Sequence, residues 1–269
     1  MSKTGNKLSQ SFDKAMSNWK AYQDAPWGKL RYRVAQVNLE RHLGQFGQRP
    51  LTILDVGGGN GADAIYLAQQ GHTVTVVDFS AEMLAQGRQL AEGNGVADKI
   101  SFQQAAVEDL GDLFSEPAFD LLLCHNVLQY VEDVTAVLHA LNRLLHPNGL
   151  LSLIITNPHA EVYAKAFRDF DMVGALAELG KKEHYVETFD TTIQRYTDDE
   201  LKGMLETAVF TLVKQYGIRS VCDFISDNEL KYDPNFYQQL ERLELALSDK
   251  YPYYLLARFY HLIAQKSKI

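Results

Sequence analysis

Asp55 closes an apolar run, Leu51-Thr-Ile-Leu-Asp-Val, that breaks at once into Gly57-Gly-Gly-Asn-Gly61. Glycines let a backbone approach a ligand closely, and a helix that starts behind them favours polar or anionic groups at its N-terminus. Gly57, Gly59 and Ala62 satisfy the dinucleotide spacing G-x-G-x-x-G/A, and Asp78 lies about 20 residues on, where an acid accepts ribose hydroxyls. NAD and S-adenosylmethionine both suit these positions. Asp55 separates them, because a carboxylate just before the glycines attracts an ammonium group, which S-adenosylmethionine has and NAD lacks, and repels a pyrophosphate.

Other polar groups follow strand-like runs. Glu108 and Asp109 come just after Ile100–Gln104, where an adenine would sit; they could read its exocyclic amine or simply start a helix. His125 follows Phe119–Cys124, the most hydrophobic run, and polar side chains beyond the carboxyl end of a parallel strand face the ligand crevice. Arg31 and Arg33 lie one turn into a helical segment, a position where charges are usually solvated. His139 and His146 share a helix with no acid or cysteine cluster beside them, so no metal site is expected.

The elements that must carry these groups alternate. Strands are predicted at Leu51–Val56, Thr73–Asp78, Ile100–Gln104, Phe119–Cys124, Leu150–Thr156, Val209–Ile218 and Tyr254–Ile263. Helical spacing marks residues 8–25 and Gly28–Phe46 as covering helices, followed by Ala62–Gln70, a segment capped by Ser80, Val134–Leu144, Thr197–Thr207 and Asp233–Leu247. The turn Pro147-Asn148-Gly149 should stop the Val134 helix. From Asn157 to Tyr196 the alternation lapses into a stretch with Tyr163, Phe167, Phe170, Met172, Tyr185 and Phe189, placed where an α/β enzyme grows a lid. The division expected is covering helices over 1–47, a cofactor core over 48–156, a lid over 157–196, and the rest of the same sheet with acceptor-site elements over 197–269.

Composition sets the bounds. The 269 residues are 46% hydrophobic and 22% charged, with a mean hydropathy of −0.21, enough for one substantial core. A net charge of −8 argues against a non-specific nucleic-acid coat. The longest apolar run, Leu150–Ile155, is far too short for a membrane span, and the polar start leads into no apolar targeting segment, so a cytoplasmic location is expected. Cys124 and Cys222 are read as reduced core thiols.

Asp55 to Gly61, Asp78, Ala106–Leu110, His125–Tyr130 and Leu144–Leu151 together resemble the class I S-adenosylmethionine-dependent methyltransferases. The resemblance implies a Rossmann-like α/β fold with a seven-stranded sheet ordered 3-2-1-4-5-7-6, helices on both faces and the last strand antiparallel. A narrower one rests on Gly28-Lys-Leu-Arg31, Cys124-His125-Asn-Val-Leu128, Asn157-x-His159, Gly217-Ile-Arg219 and Pro252-Tyr-x-x-x-x-Arg258-x-x-His261. These look like the tRNA methyltransferases that esterify carboxymethoxyuridine at the wobble position. That family implies cofactor contacts at Arg31, Gly57, Gly58, Asp78, Val107, Glu108 and His125, and an acceptor pocket drawing on Arg219 and Arg258. A carboxylate acceptor, with a pKa of roughly 4, needs no base but does need a cation to place it, and arginine's planar fork suits that. A small-molecule hydroxyl acceptor would instead need a base, for which His159, His125 and His261 are the candidates.

Overall fold

The computed structural model describes residues 16–114, 117–186 and 190–267. The expected helical positions Leu8, Phe12 and Ala15, and the lid aromatic Phe189, lie outside the described residues.

The sheet strands are β1 (Thr52–Val56), β2 (Thr73–Asp78), β3 (Ile100–Gln104), β4 (Phe119–His125), β5 (Leu145–Thr156), β8 (Phe210–Ile218) and β9 (Phe259–Lys266), while β6 (Glu183–Val186) and β7 (Thr191–Gln194) form a separate hairpin. The sheet order is β3-β2-β1-β4-β5-β9-β8, which is the expected order once the hairpin is set aside. β1 to β5 pair in parallel, and β9 runs antiparallel to both β5 and β8.

The parallel strands are buried on both faces, so their apolar residues divide by alternation. Leu54, Leu122 and Leu151 pack with Leu138 and Leu141 of helix α6 (Val134–Leu144) and with Leu201 and Leu205 of α9 (Asp198–Thr207). Ile53, Leu121 and Val74 face the other way, against Leu67 of α3 (Ala62–Gln69) and Leu84 of α4 (Ala81–Gly93). A smaller cluster seats Leu30 and Val34 of α2 (Pro26–Leu43) on Ile154, Ile218 and Leu240 of α10 (Pro234–Leu247). Removing a side chain from such a core, as in Leu138→Ala, costs about 2–5 kcal/mol.

The ends of elements differ from expectation in informative ways. The first covering helix, described from Met16, stops at Asp24 (α1), and α2 begins afresh at Pro26, because proline fits the first turn of a helix and not its interior. β5 starts at Leu145, before the turn expected at Pro147-Asn148-Gly149; the turn survives as an irregular strand start, with the β4–β5 register shifting between Phe119 and Leu121 and Asn148 at φ 64°. The last strand begins at Phe259 rather than Tyr254, because Tyr253–Leu255 forms a 3₁₀ turn after Pro252. The stretch after β5 is not irregular. It holds α7 (Pro158–Tyr163), which widens into a π-helical turn at Ala164–Arg168, then α8 (Met172–Ala177) and the hairpin. Among the described residues, no helix is long and apolar enough to cross a membrane.

Candidate active site

A cavity of about 370 Å³ opens at the carboxyl ends of the parallel strands, where the strand order reverses between β1 and β4. Its wall begins with the glycine loop. Gly57 N–H donates to the Val77 carbonyl at 2.7 Å, and Gly57 and Gly59 hold φ of 63° and 56°. A Cβ on Gly58 would lie 2.5 Å from Asp55 Oδ2, so the loop folds flat over the carboxylate only as glycine.

Three buried or nearly buried carboxylates line this end: Asp55, Asp63 and Asp78. Asp78, at the end of β2, accepts from the Gly59 and Ser80 amides, each at 2.8 Å, which fixes its rotamer. Asp63 is the acid in the first turn of α3; its Oδ2 meets His125 Nδ1 at 3.0 Å and Arg31 Nη1 at 3.9 Å. Burial opposes the ionised Asp63, but the His125 hydrogen bond and Arg31 hold its carboxyl below the usual range. Asp55 has the opposite balance. Burial first, then the neighbouring Asp63 and Asp78, push its carboxyl well above the usual range, with Arg31 opposing them. The end is therefore short of positive charge, and a cationic ligand relieves it. Arg31 Nε, Asn126 Oδ1 and Gln129 Oε1 are buried and without a hydrogen-bond partner among the described residues, and all three residues line the cavity. Together these groups fit a ligand with an ammonium, a carboxylate and a sulfonium, the set S-adenosylmethionine carries.

The opposite wall is basic. Arg219 ends β8 at φ 63° and is 5% exposed. Its Nε donates to Asp223 Oδ2 at 2.7 Å, its Nη2 pairs with Asp223 Oδ1, and its Nη1 donates to Tyr22 Oη at 2.9 Å. Asp223 keeps the guanidinium firmly charged although burial opposes it. Arg258, just before β9, donates to Glu161 Oε2 at 2.6 Å and sits beside Arg219, since its amide donates to the Arg219 carbonyl at 3.0 Å. Asn157 explains part of this placement: its buried Nδ2 donates to the Leu255 and Ala257 carbonyls, clamping the segment that carries Arg258. His184 of β6, with Val186 and Ile193 of the hairpin, lines the same cavity.

The structure thus brings Arg31, Asp55, Gly57, Gly58, Gly59, Asp78, His125, Arg219 and Arg258 to one cavity. Of the other sequence candidates, His159, Val107, Glu108, Asp109 and His261 are not in its lining. His159 is exposed at the start of α7, where its amide is capped by Asn157 Oδ1. Val107 packs on the core and Glu108 is exposed, both in a 3₁₀ turn that starts beside Asp78 through an Ala105 N–H bond to the Asp78 carbonyl. His125 is present, but both of its nitrogens are engaged, by Asp63 and by Ser152 Oγ at 2.9 Å. Sequence reasoning missed Tyr22, Asp63, Asp223 and His184. For Asp223 a signal existed, an acid four residues after Arg219; Tyr22 and His184 come from elements whose docking only the fold reveals.

The fold and the site define an S-adenosylmethionine-dependent methyltransferase. The model of a family described as "Methyltransferase domain" matches residues 54–153. Two solved methyltransferases with bound S-adenosylhomocysteine share the fold: 1,6-didemethyltoxoflavin-N1-methyltransferase from Burkholderia thailandensis (TM-score 0.63, 19% identity, 98% of this chain and 88% of that one) and magnesium protoporphyrin IX methyltransferase from Synechocystis PCC 6803 (TM-score 0.65, 14% identity, 98% and 100%). The chain belongs to the family of the tRNA 5-carboxymethoxyuridine methyltransferase of Escherichia coli K12, with 33% identity over 242 residues, 89% of each chain. It is also 34% identical to a ubiquinone biosynthesis O-methyltransferase of Haemophilus ducreyi over 166 residues, 60% of this chain and 65% of that one.

Proposed function

We propose that this enzyme methylates a carboxylate oxygen of 5-carboxymethoxyuridine in tRNA. The observation that carries the reading is the pair of adjacent arginines, Arg219 and Arg258, on the wall opposite three carboxylates. S-adenosylmethionine, when bound, supplies an activated methyl group. In this reading Arg31 faces its carboxylate, Asp55 its ammonium group and Asp78 its ribose hydroxyls, and the turn from Val107 to Asp109 closes the adenine edge. Asp223 takes the Nε–Nη2 edge of Arg219 and Tyr22 takes one Nη1 hydrogen, which leaves the remaining Nη hydrogens to hold one acceptor oxygen while the other oxygen stays free to attack. A carboxylate is already ionised at neutral pH, so the site needs alignment rather than a base. The outward-facing His159 therefore has no proton to remove.

The segment 157–196 is read as the lid, because three residues of its hairpin face the cavity and Glu161 from α7 holds Arg258. In this reading the described part of 1–47 covers the site, that of 48–156 forms the cofactor core, and that of 197–269 completes the sheet and supplies the acceptor wall. On this reading the enzyme works on tRNA, in the cytoplasm. A second reading, methylation of a small acid or hydroxyl compound, is supported by the apolar Val186 and Ile193 in the wall and the net charge of −8. The test is incubation with isotopically labelled S-adenosylmethionine and tRNA bearing carboxymethoxyuridine, then digestion to nucleosides and mass spectrometry. Label in the methyl ester of that nucleoside is expected. An unlabelled pool from protein that binds the cofactor would reject the tRNA reading in favour of the small acceptor.

A further inference from the structure

A file of polar side chains runs beneath the cavity floor, across three neighbouring strands whose central residues are mainly apolar. His125 of β4 meets Ser152 Oγ of β5 at 2.9 Å through Nε2, and Ser152 Oγ meets His261 Nε2 of β9 at 2.9 Å. Ser152 and His261 are fully buried, neither lines the cavity, and no methyl-transfer step uses them. Buried polar groups in a sheet centre are hard to justify as packing, since apolar residues of the same shape would serve.

Their direction is set at one end. Asp63 can only accept, so His125 Nδ1 carries the proton and His125 Nε2 is the acceptor. Ser152 must then donate to Nε2, which leaves its oxygen to accept from His261 Nε2–H. His261 Nδ1 is consequently bare, and it is a buried nitrogen with no hydrogen-bond partner among the described residues. Burial disfavours the charged form of both imidazoles. At the far end the ring of Tyr216 lies 5.9 Å from His261, and the Tyr216 hydroxyl meets His42 Nε2 at 2.8 Å.

We infer that Ser152 and His261 are positioning residues for the cofactor, acting through the tautomer of His125 to hold Asp63 and, through it, Arg31 at the methionine end of the cavity. The inference rests on the reading that Arg31 and Asp63 serve that end. Each link fixes the next: His261 orients the serine hydroxyl, the hydroxyl occupies His125 Nε2, and the ring then has only Nδ1–H to offer the carboxylate. Neither residue touches a reacting atom, so their loss should appear in cofactor affinity and not in acceptor affinity.

The experiment measures S-adenosylmethionine Kd by calorimetry, and KM for each substrate, in Ser152→Ala, His261→Leu, His261→Gln and Asp63→Asn. Ser152→Ala and His261→Leu should each weaken cofactor binding about tenfold, the weight of one hydrogen bond, with acceptor KM unchanged. His261→Gln, whose amide can donate to the serine, should recover affinity to within about twofold. Asp63→Asn tests the underlying reading and should weaken binding at least as much. Cofactor affinity unchanged in Asp63→Asn would remove that reading, whereas a weakened Asp63→Asn beside parent-like Ser152→Ala and His261→Leu would overturn the relay alone. A His261→Gln as weak as His261→Leu would also overturn it. Should a variant fail to fold, ¹⁵N chemical shifts of the unmodified protein decide: Nδ1–H on His125 with Nε2–H on His261 is expected, and any other pair of tautomers refutes the inference.

Discussion

The two ends of the cavity are built by two kinds of sheet. Asp55, Asp78 and the glycine loop sit at the carboxyl ends of β1 and β2, parallel strands whose tips all point one way. Arg219 and Arg258 sit where β8 ends and the reversed β9 begins, side by side across an antiparallel pair. A parallel edge gathers the ends of several strands in one row, which suits an extended ligand. An antiparallel pair instead brings together one strand end and one strand start, which suits a compact clamp. The charges follow the same division, with Asp55 crowded by other carboxylates at the first end and cations braced by Asp223 and Glu161 at the second. On the proposed reading, shortage of countercharge marks the end that takes the cofactor's ammonium group, and bracing marks the end that holds the acceptor's carboxylate.

Breaking the clamp should have the largest effect. Arg219→Ala is expected to lower kcat/KM about a thousandfold or more, assuming about 4 kcal/mol for a lost charge-assisted contact to one acceptor oxygen, while the thermal shift given by S-adenosylmethionine persists. It also strands the buried Asp223, so a loss of about 3–5 kcal/mol of stability should accompany it. Arg219→Lys keeps the charge and loses the fork, and steady-state kinetics should place it between the parent and Ala.

At the acidic end, Asp55→Asn should weaken S-adenosylmethionine binding roughly 10- to 100-fold, read by calorimetry. The ligand-free variant should be as stable as the parent or more so. Asp55 titrates above its ordinary value of 3.8 in the fold, so ionising it destabilises the empty protein as pH rises between that value and the raised one. For the same reason cofactor affinity in the parent should fall as pH drops through the raised value, where a protonated Asp55 no longer attracts the ammonium, and Asp55→Asn should flatten that profile. Equal stability loss and no affinity change would erase the contrast between the ends.

Tyr22→Phe removes the hydroxyl that accepts from Arg219 Nη1 and should raise acceptor KM about three- to tenfold, with cofactor Kd within about twofold of the parent. The smallest effect belongs to His159→Ala. Its side chain is exposed and outside the cavity, so kcat/KM should stay within about twofold of the parent; a large loss would point to a base and a hydroxyl acceptor.

Apart from Asp63, the acidic end was legible in the sequence because its parts lie in short strand–loop units. Asp55 and its glycines are one strand–loop unit, and Asp78 ends the next strand, so spacing alone carries them. Strand order was legible through the resemblance, down to the reversed last strand. The basic end was legible only in its two arginines, and then only through resemblance, because Tyr22, Glu161, His184 and Asp223 converge from four separate elements. Local pattern also could not foresee the His125 orientation. A histidine after a central strand faces the crevice by rule, yet Ser152 and Asp63 turn both of its nitrogens to protein partners.

One contact joins the two ends. Gly28 of α2 lies so close under α1 that a Cβ there would fall 1.9 Å from the Tyr22 carbonyl, and on that tightly seated helix Tyr22 holds Arg219 while its neighbour Gln23 exchanges hydrogen bonds with Asn60 in the glycine loop. Adjacent residues thus touch opposite ends, and on the proposed reading α1 is placed to couple the two occupants of the cavity. Occupancy becomes a shared property: whatever factor S-adenosylhomocysteine contributes to acceptor affinity, the acceptor must return to S-adenosylhomocysteine, and Gly28→Ala, by lifting the helix, should bring that factor to one in paired titrations.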